Sequence, residues 1–517
     1  MKVNTSRRGF LRGVGGAALL GASGCCNFWC GRSDKIRLAV VGVMGKGYSD
    51  WTPMLKTGQV EVVAFCDADY SMRKKAQAKL VKDGIAFDMS KVPFYTDYRK
   101  LLDDCYKLGV NAMTISTPDH AHAAVAVTAM KQGINVYVQK PLVRTLWELD
   151  CFNKTAKENG VIVQMGNQGS SLDAMRRCTE VIQSGILGEV REVHVWTNRP
   201  VWPQGKGVAD WVKGHPKGDP IRPGLDWNAW LGVAKDRPFL DMYPENADVY
   251  DPWKLGKNVY HTFTWRGFYD FGAGAFGDMA CHTMNLPFRG LELGGVSDAE
   301  CVMTESWNDV AYPLKSKVRL TYKARESKIR PGVTLPAVDL YWYDGNVKPD
   351  ASIMPKWAAA HKGKVPNTGC YIMGSKGAVL MQDDYGAKCA IALNEDKAFV
   401  DIFAHEAAKS VARSIPFRGG AAASGKSTVE MKGFGIGHYV EFVDAIQDKG
   451  PKYEQTHSRC FSDIEFCIPQ MEGVLVGCVA QRLPGKKLTW NSCTQSFGQA
   501  EANEFVKPYI REGFAFN

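Results

Sequence analysis

The sequence predicts an α/β protein whose N-terminal part forms a doubly wound parallel sheet. The first observation is a continuous apolar, β-branched run, Ile36–Val41, that ends in a glycine-rich turn. Such runs are typical of strands buried on both faces of a parallel sheet. The second is a similar run, Val60–Cys66, and the third is a helical segment enclosed by the runs 111–116 and 135–138. Alternating strands and helices imply right-handed crossovers and therefore parallel strands.

Length and composition exclude several classes of protein. The 517 residues suffice for roughly two to four domains. Hydrophobic residues make up 45% and charged residues 23%, which is the balance of an ordinary globular protein. No apolar run approaches the roughly 20 residues of a membrane helix. The net charge is +10, but no basic stripe with interleaved aromatics accompanies it, so nucleic acid is not a predicted partner.

The first residues predict a signal peptide over 1–33. The run 6–12 (SRRGFLR) precedes a weakly apolar stretch, 13–24. A basic start, a short apolar region and small residues define a secretory signal, and paired arginines indicate the twin-arginine type. Cys25 follows Ala22-Ser23-Gly24, which resembles a lipoprotein processing site. A lipid anchor at Cys25 is therefore an alternative to a free periplasmic form.

The sequence contains fifteen cysteines, and twelve of them lie beyond the leader. They are scattered singly through apolar segments, and no pair has the spacing of a zinc or redox motif. Buried thiols behave as small hydrophobic side chains, so we expect core thiols, with one or two disulfides as the alternative in an oxidising compartment.

The turn after the first strand resembles a dinucleotide-binding loop. Gly42 and Gly47 occupy the first and sixth positions of that fingerprint, whereas Met44 stands at its middle position and is followed by Gly45. Glycines permit the tight turn and the close approach of backbone to pyrophosphate. We expect the cofactor phosphates to lie against this loop. The predicted contacts are Gly42, Met44, Gly45, Lys46 and Gly47.

Asp67 is predicted to bind the adenosine ribose. It ends the second strand, 20 residues after Gly47, where an acid of the fingerprint meets the ribose hydroxyls. A carboxylate there accepts hydrogen bonds and repels a 2′-phosphate, and no arginine adjoins it. The sequence therefore favours NAD over NADP.

The carboxyl ends of the next two strands should face the same ligand, as in other open parallel sheets. Asp119 is expected to cap the helix that runs to Gln132. His120 and His122 lie at the start of that helix, where a nucleotide contact is favoured over a metal, and no metal site is predicted. Residues predicted here to contact the cofactor are Thr117, Pro118, His120, His122, Gln139 and Lys140.

Further motifs extend along nearly all of the chain after residue 34. They are TPDHAH (117–122), KP (140–141), GNQG (166–169), DWNAWLG (226–232), GDMACH (277–282) and REGF (511–514). Together with the glycine loop and Asp67, these motifs make the chain resemble the glucose-fructose oxidoreductase, inositol dehydrogenase and rhizopine-catabolism family.

The resemblance implies a Rossmann domain, residues 34–162, and a substrate-binding domain, residues 163–517, built on a large, mostly antiparallel sheet. The sugar would lie between that sheet and the nicotinamide. Residues 325–368 form an insertion without an assigned role. Family members often pair through the outer face of this sheet, so a homo-oligomer is expected.

The resemblance also implies the catalytic residues, Lys140, Asp278 and His282, and adds Gln168 to the cofactor contacts. The family usually has Glu where this chain has Gln139, and many members have Asp where it has Asn285. The Lys140–Pro141 peptide is often cis in relatives.

Hydride transfer requires a base that removes the alcohol proton, and His282 suits this near neutral pH. Lys140 can donate to the substrate oxygen. Asp278 stands four residues before His282, so both lie on the same face of a helix. This spacing permits a hydrogen bond between them but does not require one. An aromatic cluster nearby, residues 265–271, fits a core or a sugar platform equally. The predicted substrate contacts are Arg199, Trp202, Trp265, Arg266 and His282.

The predicted function is an exported NAD-dependent oxidoreductase that acts on a sugar, cyclitol or glycoside with tightly retained cofactor. One alternative is an NAD-dependent glycosidase that oxidises, eliminates and reduces again. Another is a non-catalytic sugar-binding protein of the same fold. Residues 420–427 match a P-loop string, but they lack the required flanking strand and helix and are predicted to be a flexible loop.

Overall fold

The computed structural model describes residues 35–516 apart from 245–246, 248, 250–257, 419–435 and 454–457. The predicted signal peptide, Cys25 and the P-loop-like string therefore lie outside the described residues. The described part divides into a parallel sheet, a large mixed sheet, and the helices that cover them.

Six short strands form the N-terminal sheet. They are β1 Ile36–Val41, β2 Val60–Cys66, β3 Phe94–Tyr95, β4 Ala112–Ile115, β5 Asn135–Val138 and β6 Val163–Met165. All pairs are parallel, and the order β3-β2-β1-β4-β5-β6 is that of a Rossmann fold. The doubly wound fold is thus confirmed. β6 lies just beyond residue 162, so the first sheet extends past the predicted domain boundary.

Five helices follow strands of this sheet. They are α1 Lys46–Lys56, α2 Ser71–Lys82, α3 Tyr98–Leu108, α4 Asp119–Lys131 and α5 Leu146–Asn159. A capping box of Thr145 and Glu148 begins α5, as such side chains satisfy the free backbone N–H groups there. The prediction that Asp119 caps α4 is wrong, because its carboxylate instead accepts a hydrogen bond from the Ala273 backbone N–H at 3.1 Å.

The second sheet has ten strands. They are β7 Val190–Trp196, β8 Val296–Glu305, β9 Lys315–Tyr322, β12 Val338–Tyr343, β13 Gly369–Gly374, β14 Gly377–Met381, β15 Cys389–Leu393, β16 Val400–Asp401, β17 Lys487–Asn491 and β18 Ser496–Phe497. Their order is β16-β15-β14-β13-β7-β12-β9-β8-β17-β18. Only β7 and β12 pair in parallel; the other neighbours are antiparallel. The large, mostly antiparallel sheet is confirmed.

The predicted insertion, 325–368, is in part a central piece of this sheet. A small hairpin, β10 Arg325–Glu326 with β11 Thr334–Leu335, does stand apart from it. β12, however, lies between β7 and β9. Its sequence VDLYWY alternates buried and half-buried side chains at the start, which is the pattern of a strand with one covered face.

The remaining helices connect or cover these strands. They are α6 Asp173–Gln183, α7 Lys206–Gly214, α8 Trp227–Leu231, α9 Gly274–Thr283, α10 Asn285–Gly290, α11 Pro355–Ala360, α12 Glu406–Ser410, α13 Gly437–Ile446 and α14 Ile464–Arg482. Single 3-10 turns occur at Met89–Lys91, Gln168–Ser171, Thr264–Gly267, Ala351–Ile353 and Ala500–Phe505.

The buried helix α14 joins the two sheets. It packs on β8 and β9 of the large sheet and also contacts α5 and β6 of the Rossmann domain. α9 packs on it as well, and the Gly477 position of α14 faces the ring of Phe276 on α9. α13 returns to the Rossmann domain, where Tyr439 and Phe442 join the core that includes Val40. Segments distant in sequence therefore complete the two separate cores on either face of the Rossmann sheet.

The twelve described cysteines are all free, and ten are buried, which agrees with the expectation of core thiols. Among the described residues no helix is both long and apolar enough to cross a bilayer. The same residues contain no cluster of three or more His, Cys, Asp or Glu side chains placed to hold a metal ion.

Candidate active site

A cavity of about 740 Å³ lies at the carboxyl ends of the Rossmann strands and is closed on the other side by residues of the second domain. It brings together most of the predicted site. The predicted residues that line it are Gly42, Met44, Gly45, Lys46, Asp67, Thr117, Pro118, Gln139, Lys140, Gln168, Arg199, Trp202, Trp265, Arg266, Asp278 and His282. This volume is within the range of cofactor and ligand pockets.

The glycine loop is shaped by close backbone contacts. Gly42 has φ +84°, and a Cβ there would lie 2.4 Å from the Ser116 carbonyl oxygen. A Cβ on Gly47 would lie 1.9 Å from the Gly42 carbonyl oxygen, so Gly47 lies beneath the loop and not on the cavity wall. Met44 at the fingerprint's middle position leaves this turn intact. The N-terminus of α1 follows this loop, and Gly45 and Lys46 line the cavity there; helix N-termini in such a position bind phosphate groups.

Asp67 lies where the ribose site is expected. Its carboxylate accepts hydrogen bonds from the backbone N–H groups of Val43 and Asp69, each at 3.1 Å. Burial raises the pKa of Asp67 despite these two hydrogen bonds. These hydrogen bonds connect the end of β2 to the glycine loop, and Asp67 lies at the cavity wall.

Lys140 and Asp278 form an ion pair across the domain boundary. Lys140 Nζ donates to Asp278 Oδ1 at 2.7 Å and to its backbone oxygen at 2.8 Å. Arg266 Nε also reaches Asp278 Oδ1, at 3.2 Å. Burial opposes ionisation of Asp278, but the charges of Lys140 and Arg266 outweigh it and lower its pKa. A buried carboxylate thus fixes the lysine at the end of β5. The Lys140–Pro141 peptide is cis, as expected.

His282 is held by Asn167 and not by Asp278, which decides the pairing that the sequence left open. Asn167 Nδ2 donates to the Cys281 carbonyl at 2.7 Å, so its Oδ1 must accept from His282 Nδ1, at 3.1 Å. Nε2 then carries the lone pair and is the ring nitrogen available to the cavity. Burial and the charge of Lys140 lower the pKa of His282 well below its usual value, which favours a neutral base.

Gln139, at the position where the resemblance implies glutamate, contacts the carboxylate of Asp50. The Asp50 carboxylate is fully buried and accepts a hydrogen bond from Gln139 Nε2 at 2.9 Å. Ser116 and Tyr439 also donate to it, at 2.8 and 3.1 Å, and Lys46 Nζ lies 3.4 Å away. A glutamate at 139 would place two carboxylates in contact, which is costly. The negative charge is therefore supplied from α1 and not from β5.

The structure does not place His120 or His122, both predicted to contact the cofactor, in the lining of the cavity, because both side chains are buried beside it. His120 Nε2 lies 2.9 Å from the Trp230 carbonyl, and burial lowers its pKa to about 3. His122 lies between the carbonyls of Pro141 and Thr117, at 2.8 and 2.9 Å, and burial lowers its pKa to about 4. Because the neutral ring has one N–H, His122 donates to only one of these two carbonyls.

The predicted substrate contacts lie at the end of the cavity formed by the second domain. Arg199 Nη2 pairs with Asp384 at 3.1 Å, and the buried Trp202 donates to Gln204 at 2.9 Å. Of the aromatic cluster, only Trp265 lines this cavity. Phe268 and Phe271 are fully buried in the core, so the core interpretation applies to most of that cluster.

Several residues at this site were not predicted from the sequence. Tyr385 places its ring edge-on to His282, with ring centroids 4.6 Å apart, and lines the cavity with Phe263 and His261. Asp119 also lines it, and burial raises the pKa of Asp119 to about 8. Tyr385 follows β14 in a loop without a motif, so no local pattern could have indicated it. Asn167, in contrast, lies inside the quoted GNQG motif.

Residues 36–167 match a family model described as oxidoreductase family, NAD-binding Rossmann fold. This range covers β1 through β6, the glycine loop, Asp67 and Lys140. The match therefore concerns the cofactor half of the cavity. Asp278 and His282 lie outside the matched range.

Curated relatives share the first part of the chain. A glycosyl hydrolase family 109 protein from Solibacter usitatus is 30% identical over 198 residues, 36% of this chain and 44% of its own. Glycosyl hydrolase family 109 protein 2 from Akkermansia muciniphila is 25% identical over 31% of this chain and 33% of its own. A 2,7-anhydro-N-acetylneuraminate hydratase from Mediterraneibacter gnavus is 27% identical over 22% and 30%. The chain thus spans less than half the length of each of these relatives.

Solved structures share the fold over most of the chain. An inositol dehydrogenase homolog from Azotobacter vinelandii, complexed with NADH and myo-inositol, matches with a TM-score of 0.53 and 15% identity, over 89% of this chain and 98% of its own. The WlbA dehydrogenase from Bordetella pertussis, in complex with NADH and UDP-GlcNAcA, matches with a TM-score of 0.51 and 14% identity, over 88% and 99%. At such identities the likeness establishes the two-domain architecture alone.

Proposed function

We propose that this protein, whose residues 36–167 match the model of an oxidoreductase family with an NAD-binding Rossmann fold, is an NAD-dependent oxidoreductase acting on a sugar, cyclitol or glycoside. The observation that carries the proposal is the single cavity in which the glycine loop and Asp67 at one end meet Lys140, Asp278 and His282 at the other. The structural neighbours crystallised with NADH and with myo-inositol or a nucleotide sugar support this class of substrate.

The residues at the cofactor end fit NAD. The glycine loop lies directly before α1, and a side chain at Gly42 or Gly47 would clash with its backbone. Backbone N–H groups at the start of a helix bind pyrophosphate. Asp67 would accept hydrogen bonds from the adenosine ribose, and its negative charge disfavours a 2′-phosphate. NAD, when bound, supplies the hydride acceptor and donor for the reaction.

The substrate end fits removal of a hydroxyl proton. Nε2 of neutral His282 accepts that proton, while Asn167 keeps the ring in the required tautomer. Lys140 donates to the same substrate oxygen and stabilises its developing negative charge. Asp278 holds the lysine in place through the 2.7 Å ion pair, and Trp265 and Trp202 form apolar walls against a sugar ring.

The proposal is tested by native mass spectrometry of the purified protein, followed by assays on a panel of free sugars, cyclitols and glycosides. We expect bound NAD and turnover of at least one substrate. Lys140→Met and His282→Asn should each lower turnover by about 10²- to 10⁴-fold. The control Lys213→Met, an exposed lysine paired with Asp309 away from the cavity, should not change it. Unchanged turnover in both site variants would contradict the proposal.

A redox-neutral glycosidase is the second candidate, and the glycosyl hydrolase family 109 relatives favour it. In this reaction the protein oxidises a glycoside, eliminates the aglycone, adds water and reduces the ring again. A chromogenic glycoside distinguishes the two candidates. Aglycone release without net NADH accumulation supports the glycosidase, whereas NADH formation in proportion to product supports the dehydrogenase.

Export through the twin-arginine route, lipidation of Cys25 and a homo-oligomeric state stay predictions from the sequence. Export would explain a retained cofactor, since free NAD should be scarce outside the cytoplasm. Fractionation of cells that produce the full chain, with mass measurement of the mature N-terminus, tests the first two. Light scattering of the purified protein tests the third.

A further inference from the structure

A second cavity, of about 270 Å³, lies where α5, the end of α14 and the C-terminal segment meet. Four cationic side chains line it: Arg144, Lys235, Arg482 and Lys507. Two carboxylates also line it, but Asp270 is ion-paired to Arg237 and Glu504 is exposed. Four cationic side chains thus face two carboxylates in this wall, so its net charge is positive, and the proposed oxidoreductase reaction uses none of these residues.

Arg482 is the central feature of this cavity. Its guanidinium lies 3.8 Å from the ring centroid of Tyr269 and 4.3 Å from that of Phe505. Within the described residues it makes no hydrogen bond or ion pair. A guanidinium that contacts aromatic rings in this way retains its five N–H donors for an anion. Burial lowers the pKa of Arg482, and the nearby charge of Arg144 acts in the same direction.

Two further polar groups at the cavity lack protein partners. Arg144 donates through Nη1 to the Tyr269 carbonyl at 2.7 Å, but its buried Nε has no partner among the described residues. The buried Tyr269 hydroxyl has none there either. Glu148, the acid nearest to Arg144 in sequence, accepts instead from the backbone N–H groups of Arg144 and Thr145. Most buried polar atoms are paired with protein groups or with ordered water, so these two are candidates for such a partner.

We propose that this cavity is a binding site for a small oxyanion, a carboxylate or phosphate group, held by Arg482 and Arg144 and attracted by Lys507 and Lys235 at the rim. Planar guanidinium groups bind such anions through paired N–H donors. The volume corresponds to several water molecules at about 30 Å³ each, which suits phosphate or a small dicarboxylate. Arg144 follows Lys140 by four residues and Tyr269 follows Arg266 by three, so the bound anion would stabilise two segments that also line the first cavity.

The test measures thermal unfolding of the full chain in increasing inorganic phosphate and, separately, malonate, with sodium chloride at matched ionic strength. We expect a saturable rise in the unfolding midpoint with phosphate or malonate but not with chloride, since ligand that binds only the folded state stabilises it. A rise with phosphate alone identifies a phosphate site, and a rise with malonate alone identifies a carboxylate site.

Variants decide whether the effect arises in this cavity. Arg482→Gln should weaken anion binding at least about tenfold, because it removes a charge-assisted pair of hydrogen bonds. Lys507→Gln, an exposed position that should not disturb folding, should weaken it a few-fold. The matched control is Lys317→Gln, a lysine 5.0 Å from the rings of Tyr341 and Tyr343 and outside both cavities. No saturable shift, or equal shifts in Lys507→Gln, Arg482→Gln and the control, would overturn the proposal.

Discussion

At the scale of single residues, a buried carboxylate, an amide and a cation decide the chemistry of the first cavity. Asp278 forms ion pairs with Lys140 and Arg266. His282 is hydrogen-bonded to the neutral amide of Asn167. Burial raises the pKa of Asp278, but Lys140 and Arg266 lower it by more, whereas burial and Lys140 both lower the pKa of His282. Asp278 remains ionised and His282 remains neutral at the same pH, although they stand one helical turn apart.

Replacement of Asn167 tests this assignment through the pH dependence of turnover. Burial and Lys140 lower the pKa of His282, so the neutral base persists below pH 6.5 and turnover of the native protein should not fall there on its account. Asn167→Asp places a carboxylate on Nδ1 and should raise that pKa by about 1 unit or more. The acid limb of the kcat profile should then move to higher pH.

The control for this measurement is Asn135→Asp, whose side chain contacts backbone groups at the far end of β5. Its acid limb should coincide with that of the native protein. An acid limb of Asn167→Asp at the native position would mean that Asn167 does not set the protonation of His282.

At the scale of elements, the turn between β1 and α1 depends on space as well as on conformation. Gly47→Ala should lower NAD affinity at least about tenfold, because its Cβ would overlap the Gly42 carbonyl oxygen at 1.9 Å. Binding is measured by fluorescence titration. Gly58→Ala is the control, with φ +72° and no atom within 4 Å of the added Cβ, and should only cost about 1 kcal/mol of stability. Equal affinity of the two variants would refute the steric argument.

Asp344 connects the second sheet to α14. It accepts hydrogen bonds from Ser316 on β9 at 2.9 Å, Trp342 on β12 at 3.0 Å and Gln481 on α14 at 3.2 Å. Burial nevertheless raises its pKa to about 7. In the unfolded chain its pKa is about 3.9, so the folded state binds the extra proton between these values. Stability from this group is complete below about pH 4 and is lost as the pH rises through 7.

The decrease in stability with rising pH that Asp344 causes can be measured with the variant Asp344→Asn. The free energy of unfolding of the native protein, relative to the variant, should be larger at pH 5 than at pH 8, because only the native protein loses the bound proton. Urea denaturation at both values measures the difference. A difference that stays constant, or that grows with pH, would contradict the linkage argument.

At the scale of the whole molecule, the C-terminal segment holds the two domains together. Phe514 is 4% exposed and lies between the guanidinium groups of Arg99 and Arg511, 3.9 and 4.4 Å from its ring centroid. Arg511 in turn donates to the Gly232 carbonyl, just after α8, at 3.0 Å. The last residues thus connect α3 of the Rossmann domain to the second domain.

Phe514→Ala should therefore lower the free energy of unfolding by about 3 kcal/mol, the usual cost of removing a buried aromatic side chain. Urea denaturation followed by tryptophan fluorescence measures it. Phe403→Ala, at a position 39% exposed, should cost less than about 1 kcal/mol. A loss for Phe514→Ala as small as that of the control would show that the segment does not contribute to cohesion.

The sequence by itself determined the Rossmann half of this protein. Its strands are continuous apolar runs, and its loop and ribose acid lie at fixed spacings, so β1, β2, β5, Gly42 and Asp67 were predicted at their observed places. Each of these signals is local, because strand burial and turn geometry depend on residues close in sequence. The resemblance extended the prediction to Lys140, Asp278 and His282.

Only the tertiary structure decided which groups meet. Lys140 and Asp278 stand 138 residues apart, and Asp50 meets Tyr439 across 389, so no periodicity or spacing relates them. For the same reason the sequence did not show that β12, predicted as part of an insertion, pairs inside the large sheet. Nor did it show that His120 and His122, predicted to contact the cofactor, lie outside the cavity lining. A side chain's partners follow from chain folding over long separations, whereas sequence patterns record only which face of an element is buried.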